Sequence, residues 1–390
     1  MTKPDIDPVA LSQALIRCPS VTPEDGGALA ALEAALGPLG FACHRLRFEE
    51  EGTAPVENLY ARWGSEGPNF GFAGHSDVVP PGDAAQWKHD PFAAEIRDHI
   101  LYGRGASDMK SAVAAFAAAA SRYLAKSAPK GSISLLITGD EEGVSINGTK
   151  KMLGWLAEHG ERIDHCLVGE PTGAAATGDT IKIGRRGSMN VAFTVRGIQG
   201  HTAYPQSVLN PIPILATLVA DLAGEPLDSG SAHFEPSTLV FTTFDVGNPA
   251  TNVSPAKARA ACNIRFNDLH TPESIARRME ETADRIAHNM GGEITIDVSI
   301  SGVSFFTAPG AFTDLLSRAV QSVTGQEPEF STGGGTSDAR FIKDHCPVAE
   351  LGLPGTTMHK IDECMPVAEI RRLTDIYAAI LGAYFAAPPR

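Results

Sequence analysis

The 390-residue sequence has no CxxC pair, no basic surplus and no apolar run near the roughly 18 residues that a membrane-spanning helix requires. Its six cysteines, Cys18, Cys43, Cys166, Cys262, Cys346 and Cys364, are scattered along the chain. That spacing excludes a tight disulfide framework and suits free thiols in a reducing compartment. The opening stretch MTKPDIDPVALSQALIR lacks the basic start and apolar core of an export signal and reads as the lead-in to an amphipathic helix. A cytoplasmic location and no membrane partner are therefore expected. With 32 basic against 46 acidic residues the formal net charge is -14, which argues against sequence-independent binding of nucleic acid, because neutralising phosphates takes a basic face. Any anionic small-molecule substrate must then meet local cations. There is no GxSxG elbow for a serine nucleophile. The run STGGGTSD, Ser331 to Asp338, lacks both the lysine of a P-loop and the GxGxxG spacing of a dinucleotide site, although its glycines could cradle an anion.

What is present is a recurring arrangement. Apolar runs lead within a residue or two to ionisable side chains: NFGFAG to His75, SISLLITG to Asp140, Glu141 and Glu142, and HCLVG to Glu170. Helical patterns lie between them, from Met109 to Lys126 and from Gly148 to His159, so the class is α/β with strands alternating with helices. Ligands in such sheets bind beyond the carboxyl ends of the strands, which is where these residues fall.

From about residue 180 the texture changes to alternating stretches, IKIGRRGSMNVAFTVRG, STLVFTTFDVG and ARAACNIRF, interleaved with helices near Pro211 to Ala223 and Thr271 to Met290. Thr271 suits an N-cap and Pro272 the first helical position. A β-α-β-β-α-β order predicts an α+β sandwich at 180–292, inserted into a larger domain made of 1–179 and 293–390. That larger domain is expected to hold a mixed, largely parallel sheet flanked by helices, closing with a helix from Pro366 to Phe385.

Five constellations bear chemistry. In GHSDVVPPG, His75 and Asp77 face the same side if the strand runs through them, and the carboxylate could orient a ligating imidazole; a solvated turn fits as well. Asp108 in GRGASDMK, taken alone, reads first as the N-cap of the following helix. The consecutive acids of GDEEG repel one another, so they need full solvation or a cation. Glu170 in VGEPTG and His359 in MHKIDEC each have bland readings too. Together, His75, Asp108, Glu142, Glu170 and His359 form a mixed nitrogen and oxygen set suited to zinc or a similar ion. If Asp108 bridges, two ions have three protein ligands each, the arrangement of two-metal sites that activate water and polarise a carbonyl.

Taken together, GHSDVVPPG, GRGASDMK, GDEEG, VGEPT and HKIDEC resemble the dinuclear-zinc aminoacylase and carboxypeptidase family, over residues 8 to 385. The resemblance implies an amide hydrolase with two zinc ions, replaceable by cobalt or manganese. It makes His75 and Glu170 the ligands of one ion, Glu142 and His359 those of the other, and Asp108 the bridge. Glu141 then falls on the general acid/base and Asp77 on the carboxylate behind His75. The insert corresponds to a dimerisation domain, so a homodimer is implied, with His201 of GHTAYP reaching the partner's active site. GRRGS, STGGGTSDARF and HKIDEC are similar to a branch that removes succinyl groups from amino-acid amines. There Arg185, Arg265, Arg340, Asn252 and Thr336 match substrate-contacting stretches, and arginine forks suit a substrate rich in carboxylates. Arg186 competes with Arg185 for that role. Rival readings are a deacetylase or dipeptidase of the same family, or a non-catalytic metal-stabilised binding protein.

Overall fold

The computed structural model describes residues 4–127 and 129–389. It divides into two compact units: one takes the chain up to Ile183, Thr307–Ser331 and the chain from Ser337 onward, and the other takes Gly184–Phe306 with Thr332–Thr336.

The first unit is built on an eight-stranded mixed sheet. Across the sheet the strands run Ala42–Phe48, Val56–Trp63, Ser132–Thr138, Asn69–His75, His165–Val168, Val348–Glu350, Thr180–Lys182 and Glu329–Ser331. Ser132–Thr138, Asn69–His75 and His165–Val168 lie parallel at its centre, with Phe72 opposite Leu135 on one side and Leu167 on the other. Every residue of Asn69–His75 and Ser132–Thr138 is buried, which is why these strands read as continuous apolar runs rather than alternating ones. Because they are parallel, their carboxyl ends share one edge, and the polar residues that follow each strand are delivered there together.

The helix Lys110–Lys126 owes its formation to eight alanines, the strongest helix former, whose small side chains let it lie close against its neighbours. Phe116 breaks that run and stacks on Phe72 at 4.2 Å between ring centroids, with Tyr377 of the helix Val367–Ala386 edge-on at 5.7 Å. No helix among the described residues is long and apolar enough to cross a membrane.

The second unit holds a four-stranded antiparallel sheet in the order Thr238–Asp245, Lys257–Phe266, Gly187–Arg196, Glu293–Gly302. The helices Pro211–Gly224 and Pro272–Met290 bury Leu215, Leu218 and Met279 against Met189, Val191, Phe193 and Ile264. Thr271 caps the second helix reciprocally: the Ser274 N–H donates to Thr271 Oγ1 at 3.2 Å and the Thr271 N–H to Ser274 Oγ at 3.0 Å. Lys257–Phe266 alternates between exposed or half-exposed and buried positions, as a strand packed on one face does.

Two boundaries differ from the sequence expectation. Glu293–Gly302 pairs along Gly187–Arg196, so the second unit runs to Phe306 instead of ending near 292. The stretch expected as one strand from 181 to 197 is three. Thr180–Lys182 stays in the first sheet, Gly184–Arg185 pairs with Phe305–Phe306, and Gly187–Arg196 enters the second sheet. Gly187 lies tight on Phe266, where a β-carbon would come within 2.2 Å of the ring.

Phe116→Ala should destabilise the first unit by about 3–5 kcal/mol, since it empties a fully buried aromatic site. The measurement is the urea midpoint of the helical circular-dichroism signal, which should fall.

Candidate metal centre

The three parallel strands end in site residues. His75 closes its own strand, Asp140, Glu141 and Glu142 follow Ser132–Thr138, and Glu170 follows His165–Val168 after one glycine. The backbone is crowded there. A β-carbon on Gly352 would lie 2.3 Å from the Glu170 carbonyl oxygen, so only glycine lets the chain after Val348–Glu350 pass Glu170 on its way to His359. His359 itself has φ 62°, the left-handed region that a side chain disfavours.

Asp108 joins the two halves of the centre. Its Oδ1 lies 3.1 Å from His75 Nε2 and its Oδ2 lies 3.2 Å from His359 Nε2. Glu170 Oε1 is 3.9 Å from His75 Nε2, and Glu142 Oε1 is 2.8 Å from His359 Nε2. Two sets of three donors result, His75 with Asp108 and Glu170, and Asp108 with Glu142 and His359, each with its donor atoms within 4.8 Å of one another. A third overlapping set joins His75, Glu141 and Glu142. Asp108 does not cap the helix that follows it. Met109 holds the cap position with no side-chain bond, and both Asp108 oxygens turn to the imidazoles, whose positive charge outbids a backbone N–H.

Asp77 lies past the strand's end, since the ladder with Ser132–Thr138 closes at His75. It meets His75 mainly through its backbone, the carbonyl oxygen being 2.9 Å from Nδ1, while its carboxylate oxygen stands 3.7 Å away. That carboxylate accepts the backbone N–H of Glu142 at 3.0 Å and of Glu141 at 3.4 Å, so it fixes the acidic turn.

The electrostatics are those of a site waiting for positive charge. Burial raises the proton affinity of Glu170 and Glu141 well above the usual carboxylate range, with neighbouring carboxylates adding to it. Burial likewise lifts Asp77 to about 6. Burial alone would pull His75 down, but the Asp108 bond and the charges of Asp108, Glu170 and Asp77 hold it well above the ordinary histidine value. The Asp108 and Glu142 bonds raise His359 to about 10. Burial opposes ionisation of Asp108, yet the two imidazoles overcome it and hold the carboxyl below its usual range. Glu170 Oε1 is buried and has no hydrogen-bond partner. A buried carboxylate oxygen left without a donor, in a set of imidazole and carboxylate groups, fits a cation of the zinc type.

The other expected site residues lie in both units. His201 and Asn252 are exposed in the second unit and adjoin one another, the Thr202 N–H donating to the Asn252 carbonyl at 3.0 Å. Arg185 is buried and donates to the Gly335 carbonyl at 3.0 Å, beside the half-exposed Thr336, whereas Arg186 donates to the Pro236 carbonyl. Arg265 bonds Asn263 Oδ1 at 3.0 Å and is held below its usual basicity by burial and by Arg186. Arg340 belongs to the first unit, near Asp338 at 3.8 Å and over the Phe341 ring. Sequence reasoning passed over Arg104, Lys110 and Glu363. All three stand inside the quoted motifs, which was the one signal that could have drawn attention to them.

Residues 71–383 match the family described as Peptidase family M20/M25/M40. The chain belongs to that family. It is 58% identical to succinyl-diaminopimelate desuccinylase of Rhodospirillum centenum over 98% of its length and 99% of that protein's, and 54% identical to the one of Rhodopseudomonas palustris over 97% and 98%. Among solved structures it is similar to a tripeptidase from Staphylococcus aureus, with a TM-score of 0.80 at 20% identity, covering 98% of this chain and 100% of that one. It is also similar to an aminopeptidase from Bacillus cereus, with a TM-score of 0.78 at 20% identity over 96% and 97% of the two chains. These two likenesses speak for the fold.

Cation uptake at these donors must displace protons, because His359 keeps its proton up to about pH 10 and His75, Glu141 and Glu170 all sit above their ordinary values. Affinity should therefore rise with pH through the neutral range. Calorimetric titration of cation-free protein in buffers of different ionisation enthalpy should report net proton release at pH 7, and a proton count of zero would contradict the charge states given above.

Proposed function

We propose that this chain hydrolyses the amide of N-succinyl-L,L-diaminopimelate, yielding L,L-diaminopimelate and succinate for lysine and cell-wall precursor synthesis in the cytoplasm. The observation that carries the substrate is the near-full-length identity to desuccinylases, 58% in one relative. The geometry around Asp108 supports the chemistry. On this reading His75 and Glu170 would hold one zinc ion, Glu142 and His359 a second, and Asp108 would serve both, with cobalt or manganese able to replace zinc. Bound there, such ions polarise a carbonyl and make a water acidic enough to react near neutral pH.

The residues around them do the rest. Glu141 takes a proton from the attacking water and returns it to the leaving amine. Its burial supports that role, because a carboxylate whose proton affinity is raised works as a base near neutral pH. Asp77 holds the backbone of Glu141 and Glu142, which fixes the base relative to its neighbouring ligand. His201 steadies the oxygen on which negative charge develops. Arg185, Arg265 and Arg340, with Asn252 and Thr336, bind the carboxylates of the substrate, local cations in a chain of net charge -14. The second unit pairs two copies of the chain, and His201 serves the partner's centre.

Glu141→Gln should retain its metal content and lose about 10²–10⁴-fold in kcat, the usual worth of a positioned acid/base group. Full turnover would overturn the mechanism. On zinc-restored enzyme, kcat/KM for the succinylated substrate should exceed that for acetylornithine. The opposite order would assign the chain to deacetylation. Sedimentation should report a dimer, and a monomer with full activity would remove His201 from the partner's centre.

A further inference from the structure

Behind the donor atoms lies an ion pair that neither the ligands nor the proposed mechanism uses. Glu363 is fully buried and Arg104 is 3% exposed. Arg104 donates from one guanidinium nitrogen to Glu363 Oε2 at 2.7 Å. The other carboxylate oxygen, Oε1, accepts three consecutive-loop N–H groups: Gly105 at 3.2 Å, Ser107 at 2.8 Å and Asp108 at 3.1 Å. Glu363 thus wraps the backbone that carries Asp108, and its own carbonyl accepts the Gly103 N–H at 2.9 Å.

Arg104 extends the hold to two more segments. Its first nitrogen also donates to the Lys360 carbonyl at 3.2 Å, one residue after His359, and the second donates to the Pro80 carbonyl at 3.4 Å, in the turn that follows His75 and Asp77. Trp87 covers the guanidinium at 5.2 Å. Burying two charges costs several kcal/mol each, so a buried pair is a poor device for stability alone, and an apolar pair of the same volume would do as well. What an apolar pair cannot do is gather N–H groups and carbonyls from separate segments into fixed positions. A fork of donors facing one carboxylate does that.

The two donor sets depend on this pair unequally. In the set Asp108, Glu142 and His359, the pair touches the backbone of Asp108 and the residue next to His359. His359 is also the exposed member, and it sits in a left-handed conformation that needs support. In the set His75, Asp108 and Glu170, only Asp108 is held directly, and the other two are buried at the ends of central strands. We propose that Arg104 and Glu363 are positioning residues that align Asp108 with His359, and so set the affinity of the cation held by Asp108, Glu142 and His359. The proposal rests on the two-cation reading above.

The test is titration of the cation-free full-length chain with Co²⁺, followed by calorimetry and by visible absorption of the bound cobalt. Wild type should take up two ions. In Glu363→Gln, which loses the charge, and Arg104→Lys, which keeps the charge but loses the fork, the first ion should bind within about threefold of wild type and the second about 10–100-fold more weakly, the usual worth of a group that orients a ligand. A merely structural role would lower the melting temperature in chelator and leave the ratio of the two affinities unchanged. That unchanged ratio, in a folded variant, overturns the proposal. If Glu363→Gln does not fold, Arg104→Lys decides alone, since it retains a cation against Glu363. A wild type that binds fewer than two ions overturns the two-cation reading and this proposal with it, whereas two ions in wild type and native second-ion affinity in the variants overturn the proposal only.

Discussion

Carboxylates gathered in a water-poor space repel one another, and everything around the centre follows from how that repulsion is relieved. Asp77, Asp108, Glu141, Glu142 and Glu170 converge on two imidazoles at the edge of a buried sheet. Without a cation, protons relieve the excess negative charge: His75, His359, Glu141 and Glu170 are all pushed toward their protonated forms, and Asp108 is held ionised because it faces both rings. A cation of the zinc type would relieve the same repulsion more directly, and it would also meet Glu170 Oε1, which no donor satisfies. Protonation and cation binding are therefore competing solutions to one electrostatic problem.

That problem can be posed only because the scaffold is stiff. The central strands bury every side chain on both faces, so their ends cannot drift apart to dilute the charge. Around the edge, fixed groups hold each ligand segment. Asp77 ties down the acidic turn, and the Arg104–Glu363 pair ties down the Asp108 loop. Lys110, fully buried at the first turn of its helix, donates to the carbonyls of Leu15 and Cys18 and so binds the end of the helix Pro8–Ile16 to the same loop. Burial draws its pKa down to about 8, the reverse of what burial does to the carboxylates beside it. A lysine that gives its protons to backbone carbonyls is spent on architecture and leaves the acidic cluster to find its charge elsewhere.

How much of this was legible in the sequence depended on distance along the chain. The parallel strands were readable because burial on both faces writes itself as unbroken apolar runs, and the residues just past them were readable because strand ends are where α/β sheets expose function. The inserted sandwich was readable from its alternation and from Thr271 and Pro272. Asp108 was harder, because an aspartate before a helix is a cap unless something stronger claims its oxygens, and the claimants, His75 and His359, are remote in sequence. Asp77 illustrates the limit of periodicity. It would share the face of His75 only if the strand continued, and the ladder stops at His75, two residues too soon. The partnership of Arg104 with Glu363, 259 residues apart, leaves no local trace at all. Pairings of that kind are written in tertiary packing, and each partner alone looks like an ordinary charged loop residue.

The residues proposed for the cations and those proposed for the substrate are distributed differently over the two units. Every donor proposed for the cations lies in the first unit, whereas His201, Arg185, Asn252, Arg265 and Thr336 lie in the second and Arg340 in the first. The likeness to a tripeptidase at 20% identity extends to the fold, and one fold can carry different chemistries on the residues placed upon it. Burial and the nearby charge of Arg186 lower the basicity of Arg265, so like charges lie near one another there although the chain as a whole is acidic. An anion bound there would relieve that repulsion, which supports the proposal that Arg265 meets a carboxylate of the substrate.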